Sequence, residues 1–214
     1  MTIAASPNPS SVRLGGSFRD ALSRFATGVA FVTAAPAGEP LGLIVNSFSS
    51  VSLEPPLISI CPSRTSHTWA RMRRAGRFAV NVLGSEHEGF VARATDPNAD
   101  RFAGLSWESR GGGAPVLADA LASLECEIVS EYPAGDHWIV VARVERLHVG
   151  PRDDPLIFFG GDFARLSPAG RETEAVERRY SPYGAQRPGR PARDMRDPTA
   201  HRLLPRRWLP HGSG

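Results

Sequence analysis

The stretch "ASLECEIVSEYPAGDHWIVVARVERLHV" (residues 122–149) decides the fold class, because it contains two long strand-like segments joined by a turn. Leu124, Cys126 and Ile128 alternate with Glu125 and Glu127, the period of two that is typical of a strand with one buried face. "PAGD" (133–136) has the composition of a tight turn, and "HWIVVARVERLHV" (137–149) follows as the returning strand. The sequence therefore predicts an antiparallel β-hairpin here.

Further strands are predicted wherever a short apolar run lies between turn residues. These runs are "VAFVTAA" (29–35), "LGLIVNSF" (41–48), "LISIC" (57–61), "RFAVNVL" (77–83) and "PLIFFGGDFARL" (155–166). Capping residues and helical spacing predict three helices: from Ser17, with Asp20 as its capping partner, to Gly28; over 67–76; and over 86–95, with Ser85 and Glu88 as its capping box.

The order of these elements indicates a mainly β protein with a few short helices. Six or seven mostly antiparallel strands are predicted, and helices do not alternate regularly with strands. No GxGxxG follows a strand, so a Rossmann domain is not expected. A closed or split β-barrel, Greek-key-like and with flanking helices, fits the pattern best.

Charge is distributed unevenly along the 214 residues. Residues 171–214 contain ten Arg and five acidic residues, whereas residues 1–170 contain fifteen Arg and seventeen acidic residues. The formal net charge of +3 therefore comes from the C-terminal part, and the main part lacks the basic balance of a nucleic-acid-binding domain. The chain contains no lysine, which excludes a lysine Schiff base or a lysine general base.

We expect three parts along the chain. Residues 1–16, rich in Ser, Pro and Gly, form a flexible N-terminal arm, and residues 17–170 form one domain. Residues 171–214 form an Arg/Pro-rich C-terminal extension, which is either solvated, or docks on an acidic partner, or reaches across a dimer.

Neither a secretion signal nor a membrane-spanning run of roughly 20 apolar residues is apparent. Two cysteines are too few for a disulfide scaffold, and no His or Cys pair has metal-ligand spacing. We therefore expect a cytoplasmic protein with no metal, no membrane and no nucleic-acid partner.

Three polar segments could carry chemistry, and each also has a structural interpretation. The Ser/Asn-rich residues 46–52 offer hydroxyls and an amide to a planar polar ligand, or form an ordinary turn. "CPSRTSHT" (61–68) suits a phosphate, or caps a helix through Thr65 or Ser66. "GDH" (135–137) places a histidine beside a ligand ring, or simply closes the hairpin.

Six sequence blocks in a fixed order resemble the flavin reductase-like family, the FMN-binding split-barrel reductases that supply reduced flavin to two-component monooxygenases. The resemblance covers about residues 18–166. The blocks are "RFATGVAFVTA" (24–34), "GLIVNSFSSVSLEPPLISIC" (42–61), "GRFAVNVL" (76–83), "GAPVLADALASLECEI" (113–128), "GDHWIVVARV" (135–144) and "PLIFFGGDFARL" (155–166).

The resemblance implies a homodimer with FMN or FAD in clefts at the subunit interface, NADH or NADPH as hydride donor, and a monooxygenase as possible partner. It also implies the following sites. Residues expected at the flavin are Thr27, Gly28, Asn46, Ser47, Ser49, Ser50, Val51, Ser52, Cys61, Ser63, Arg64, Ser66 and Asn81. His137 is expected to face the nicotinamide and to be the catalytic residue, with Phe158 and Phe159 approaching the same pocket.

At two positions the sequence departs from the family pattern. Ala30 and Ile44 stand where threonine is usual, and each lost hydroxyl removes one hydrogen bond, worth about 0.5–1.5 kcal/mol or up to about tenfold in affinity. Two alternatives to a flavin reductase stay open. One is a split-barrel flavoprotein that holds FMN tightly and acts on another substrate, and the other is a non-catalytic flavin-binding or ligand-binding protein.

Overall fold

The computed structural model describes residues 15–166 apart from 95, 97, 98 and 110–112, and its regular structure is mainly β. Its strands are β1 Thr27–Gly28, β2 Ala30–Ala34, β3 Leu41–Val45, β4 Ser49–Leu53, β5 Pro56–Ile60, β6 Arg77–Val82, β7 Trp107–Ser109, β8 Pro115–Leu117, β9 Ala122–Ala134, β10 His137–Val149, β11 Ile157–Phe159 and β12 Asp162–Ala164. Its α-helices are α1 Gly15–Ser23, α2 His67–Met72 and α3 Glu88–Ala94, with 3-10 turns at Pro36–Gly38, Arg73–Ala75 and Ser85–His87.

Seven strands form one antiparallel sheet in the order β3-β2-β6-β9-β10-β5-β4. The predicted hairpin is confirmed: β9 pairs with β10 along its whole length, and β10 has the predicted bounds. Register shifts after Val141 and after Val144 mark bulges, which bend a hairpin and increase its twist. Smaller sheets, β1-β11-β12 and β7-β8, accompany the main one, and the split-barrel fold class is confirmed.

The core lies on both faces of β2, which explains why its sequence is apolar throughout rather than alternating. Val32 packs with Trp69 and Met72 of α2 in one cluster, while Phe31 packs with Phe90 of α3 in another. The Phe31 ring covers the backbone of Gly42, where an added Cβ would lie 2.1 Å from the ring. Glycine is therefore required at that position of β3.

Helix boundaries differ from the predictions at two places. The first helix begins at Gly15 and ends at Ser23, so Ser17 lies inside it and Gly28 belongs to β1. The third helix is entered through a 3-10 turn in which the Gly84 N–H donates to His87 Nδ1 at 3.2 Å. The Ser85 hydroxyl donates to Asp154 at 2.5 Å, so it serves a tertiary contact rather than the predicted capping box.

Three strand predictions also need correction. The predicted last strand is a hairpin, because Gly160 and Gly161 adopt φ values of 65° and 91° and reverse the chain between β11 and β12. The serine-rich residues after β3 include a strand of their own, β4. Glu125 is buried rather than solvated, and Arg146 lies 3.4 Å from its carboxylate.

The predictions for the arm and the extension fall outside the described residues, except that Gly15 and Gly16 open α1. Among the described residues, no helix is long and apolar enough to cross a membrane. The same residues contain no cluster of His, Cys, Asp or Glu that could hold a metal ion.

Candidate functional site

The tip of the β9–β10 hairpin is fastened to the loop that precedes α2. Gly135, with φ 62°, makes the turn, and Ser63 and His137 form an isolated antiparallel bridge. The Trp138 N–H donates to the Pro62 carbonyl at 2.9 Å, and the Arg64 N–H donates to the Asp136 carbonyl at 2.9 Å. These backbone contacts fix the histidine beside the serine-bearing loop.

A cleft of about 380 Å³ opens between this tip and the end of β3. One wall is apolar, formed by Leu43, Ile44 and Val45, and polar side chains complete the lining. The polar and remaining lining residues are Asn46, Ser47, Cys61, Pro62, Ser63, Ser66 and His137. The structure thus unites six predicted site residues from three separate segments of the chain.

Each serine hydroxyl of the cleft already has at least one hydrogen-bond partner within the protein. Ser47 Oγ accepts from the Cys61 N–H at 2.9 Å, and Ser66 Oγ accepts from the Trp69 N–H at 3.1 Å. Ser63 Oγ accepts from the Thr65 N–H at 3.2 Å and lies 2.9 Å from the Thr65 hydroxyl. A hydroxyl that accepts from a backbone N–H keeps its own proton, so Ser47 and Ser66 still have a donor for a ligand. Ser66 is therefore both the N-cap of α2 and a lining residue.

His137 is oriented by its neighbour in the sequence. Its Nδ1 lies 2.8 Å from Asp136 Oδ1, and its side chain is 47% exposed. The hydrogen bond from His137 lowers the pKa of the Asp136 carboxyl, with smaller contributions from a backbone hydrogen bond and from the charge of His137. A carboxylate that holds Nδ1–H leaves Nε2 as the ring nitrogen available to a ligand.

Arg64 does not line the cleft directly. Its guanidinium donates to the Gly135 carbonyl at 3.1 Å and lies 5.4 Å from the centre of the Trp138 ring. Arg73 packs on the same ring at 5.0 Å and pairs with Glu131. The indole therefore lies against two guanidinium groups, which stiffens the strand beside His137.

The predicted serine run is divided by the structure. Asn46 and Ser47 line the cleft, whereas Ser49, Ser50, Val51 and Ser52 belong to β4, the edge strand of the seven-stranded sheet. Val51 occupies the register shift between β4 and β5 and is 49% exposed. These four residues lie outside the cleft of a single chain.

Asn81 is a core residue rather than a member of the cleft. Its Nδ2 donates to the Phe31 carbonyl at 3.1 Å and to the Thr33 hydroxyl at 3.2 Å. Its Oδ1 accepts from the Leu117 N–H at 2.9 Å and from the Ser123 hydroxyl at 3.2 Å. The amide is fully buried and its hydrogen-bonding capacity is used within the protein.

The remaining predicted residues gather in the small sheet. Thr27 pairs with Phe158 and Gly28 with Ile157, and Phe159 is 42% exposed. The Thr27 hydroxyl is buried and makes no hydrogen bond within the described part of the chain. A buried hydroxyl rarely lacks a hydrogen-bond partner in a protein. The Thr27 hydroxyl is therefore available for a hydrogen bond to a ligand or to another chain.

Four lining residues had no part in the predicted site: Leu43, Ile44, Val45 and Pro62. The sequence signal that could have identified them is their position next to predicted site residues, since β3 leads directly into Asn46 and Pro62 follows Cys61. Of the two departures from the family pattern, Ile44 lines the cleft, but Ala30 is buried in the core. Only Ile44 therefore bears on ligand contacts.

Comparison with known proteins assigns the chain to one family. The profile described as flavin reductase like domain matches residues 22–167. The chain belongs to the flavin reductase-like family. It is 39% identical over 151 residues to the reductase subunit HsaB of a flavin-dependent monooxygenase from Rhodococcus jostii, covering 71% of this chain and 77% of that protein.

Two other members of the flavin reductase-like family have names that specify the reaction. The FMN reductase (NADH) SmoA of Agrobacterium fabrum is 43% identical over 152 residues, which cover 71% of this chain and 86% of that protein. The NADH:FAD oxidoreductase SgcE6 of Streptomyces globisporus, solved with NAD and FAD fragments, superposes with a TM-score of 0.68. That match is 35% identical and covers 77% of this chain and 98% of the other.

The cleft has the composition that a flavin requires. An isoalloxazine is a flat ring system with an apolar surface and a polar edge, and the cleft pairs an aliphatic wall with serine hydroxyls and an asparagine amide. Its volume falls within the range of about 300–1,000 Å³ that is usual for small-molecule sites. The residues present therefore fit the cofactor of the family.

Proposed function

We propose that the protein is the reductase component of a two-component monooxygenase and transfers hydride from NADH or NADPH to FMN or FAD. One observation carries the proposal: an aliphatic-walled cleft holds spare serine donors on one side and a carboxylate-oriented histidine on the other. Relatives named as monooxygenase reductase subunits and as NADH-dependent flavin reductases support it.

In this proposal the protein holds two rings in contact and does little covalent chemistry itself. Flavin, when bound, supplies the N5 atom that accepts the hydride leaving C4 of the nicotinamide. Asn46, Ser47, Ser63 and Ser66 hold the polar edge and the side chain of the flavin. His137 positions the nicotinamide through Nε2 and excludes water, while Asp136 holds the imidazole in place.

We further propose that the active form is a homodimer. Large apolar side chains are exposed on neighbouring strands: Tyr132 pairs with Ile139 across β9–β10, with exposed fractions of 56% and 40%. Leu53, on the edge strand β4, is 64% exposed. Because Ile139 lies two residues from His137, a second copy on this face would sit beside the cleft and could complete it.

Phe18, Leu22 and Phe25, at the helical spacing of α1 and just beyond its end, also expose their side chains. Large apolar side chains that recur on one exposed face are typical of a surface that another chain covers. Replacing Ile139 by Glu would place a charge in the proposed interface. We expect this variant to sediment as a monomer while the wild type sediments as a dimer.

The activity is tested by measuring NADH and NADPH consumption with FMN, FAD or riboflavin, in air and without oxygen. We expect consumption to require added flavin, and anaerobic mixtures to accumulate reduced flavin. A yellow protein that retains its flavin through gel filtration and ignores added flavin would instead support a tightly held prosthetic group. Absence of NAD(P)H oxidation with all three flavins would refute the reductase assignment.

A further inference from the structure

Four arginines lie within "RMRRAGR" (71–77), and the structure divides them between two surfaces. Arg73 faces the hairpin, where it meets Glu131 and the Trp138 ring. Arg71, Arg74 and Arg77 instead line an open groove of about 560 Å³, larger than the cleft at His137. The hydride-transfer proposal gives these three side chains no role.

Positive charge in this groove is only partly balanced. Glu39 lies 2.5 Å from Arg71 and neutralises it. Glu127 is 3.9 Å from Arg77, but the same carboxylate group is 2.5 Å from Arg143 and is shared. Arg74 has no acidic partner among the described residues. The groove therefore presents an excess of guanidinium charge to an incoming ligand.

The remaining lining favours an extended polypeptide over a nucleotide. Between the arginines the described walls consist of small residues, and they include no aromatic ring on which a base could stack. These small residues are Ala35, Pro36, Ala37, Ala75, Gly113 and Ala114. An open groove with small walls and an excess of guanidinium charge suits a segment of acidic residues.

The groove and the cleft lie at opposite ends of the same strands. Ala35 and Glu39 flank the turn between β2 and β3, whereas Val45 and Asn46 at the other end of β3 line the cleft. Five residues of strand separate them by about 16 Å. A ligand in the groove would therefore leave the flavin site accessible.

We propose that this groove is the docking surface for an acidic polypeptide segment of the oxygenase component. The inference rests on the proposed function, since a reductase that delivers reduced flavin has such a partner. The protein's own C-terminal residues 171–214 carry a net charge of +5 and are not complementary to the groove. Docking here would bring the partner close to the cleft without blocking it.

The test compares two charge reversals in the full-length protein, Arg74→Glu in the groove and Arg24→Glu after α1. Both arginines are exposed, neither has an ion pair in the described structure, and each substitution changes the net charge equally. The arginines of residues 171–214 are the same in both variants. Binding of a fluorescein-labelled peptide of ten glutamates is followed by anisotropy at low ionic strength.

We expect Arg74→Glu to weaken binding of the glutamate peptide about fivefold to tenfold. The introduced carboxylate would repel the carboxylates of the peptide in the groove. Arg24→Glu should change it by less than about twofold. Hydrogen exchange of residues 71–77 should slow when the peptide is added to the wild type. Equal losses in the two variants, or no protection over 71–77, would overturn the proposal.

A competition experiment separates a polypeptide from a small anion. Pyrophosphate or NADPH that displaced the peptide at stoichiometric concentrations would make the groove a phosphate or nucleotide site and overturn the docking proposal. NADH oxidation with FMN is measured on the same variants and should stay at the wild-type rate. If the wild type itself oxidises no NAD(P)H, the proposed function fails, whereas the peptide measurement judges the groove independently.

Discussion

Two polar regions of the molecule, the Asn81 network and the cleft at His137, differ in how completely their hydrogen bonds are used. Asn81 is buried and both ends of its amide are occupied by Phe31, Thr33, Leu117 and Ser123. In the cleft, Asn46 is exposed and makes no hydrogen bond within the described structure. The Asn81 network is a closed region, in which the protein itself supplies every hydrogen-bond partner. The cleft at His137 is an open region, in which hydrogen-bond donors remain available to a ligand.

Residue type alone therefore does not distinguish an asparagine with free hydrogen-bonding capacity from one whose capacity is used within the protein. Both asparagines follow apolar strand residues, and the family resemblance implies both as flavin neighbours. Their surroundings decide between the roles, because a buried amide with all its partners supplied has nothing left for a ligand.

Asn81→Ala should lower the free energy of unfolding by about 3 kcal/mol or more, because it strands several buried polar groups without partners. Urea denaturation measures the loss. Asn46→Ala is the matched control and should change the free energy of unfolding by less than about 0.5 kcal/mol, as expected for an exposed site. Similar urea midpoints for the two variants would erase the distinction between the closed and the open region.

His137→Ala should raise KM for NADH and lower kcat, for a combined loss of about tenfold in kcat/KM, equivalent to about 1.4 kcal/mol. The side chain is proposed to position the nicotinamide, so the Kd for flavin, measured by fluorescence quenching, should stay near that of the wild type. Unchanged steady-state kinetics would remove His137 from the site.

The two cysteines should differ in reactivity, because Cys126 is buried in the core and Cys61 lines the cleft. Burial, followed by the charges of Glu125 and Glu145, raises the pKa of Cys126 to about 12, so its thiol stays protonated in mildly alkaline buffer. Burial also raises the pKa of Cys61, but this thiol lines the cleft and is only half-buried.

A disulfide reagent should therefore modify Cys61 in the native protein and Cys126 only after unfolding, because thiolate and access are both needed. Saturating FMN should slow the modification of Cys61 about threefold or more by occupying the cleft. Native-state labelling of both thiols, or a labelling rate for Cys61 that FMN does not change, would contradict the assignment of Cys126 to the core and of Cys61 to the cleft.

The smallest effect is expected from Asp136→Asn, which keeps the shape of the side chain but removes its charge. We expect kcat/KM for NADH to fall about twofold to threefold, since an exposed contact of this kind is weak.

The depressed pKa of Asp136 means that its contact with His137 is present above the usual carboxyl pKa of 3.8. The contact is lost only as the pH falls through the lower pKa of the folded protein. The wild-type carboxyl, titrated by NMR, should accordingly have its midpoint below 3.8, and His137→Ala should return it toward that value.

The sequence predicted best those elements whose pattern is local. β10 begins at His137 and ends at Val149 as predicted, and the Gly135 turn defines its first residue. β4 was missed, since a serine-rich edge strand has no apolar alternation to reveal it. The sequence predicts one strand where β11 and β12 form a hairpin, although the Gly160–Gly161 pair is a signal for the turn.

Within the site, the sequence predicted the lining residues that lie at strand ends, including Asn46, Ser63 and His137. It could not predict that Arg64 is held on Trp138 or that Asn81 is enclosed by partners from β2, β8 and β9. Both outcomes depend on contacts between segments distant in the chain. Such contacts produce no periodic pattern in a single sequence.

Trp138 gives the protein an intrinsic optical signal at its proposed reaction centre. The indole follows His137 directly and touches the guanidinium groups of both Arg64 and Arg73. Indole emission responds to nearby charge and to an acceptor chromophore. Binding of a flavin in the cleft should therefore quench the fluorescence of Trp138 more than that of Trp69, which is buried in the core. The timing of cofactor entry and departure could then be followed in the unmodified protein, without any attached dye.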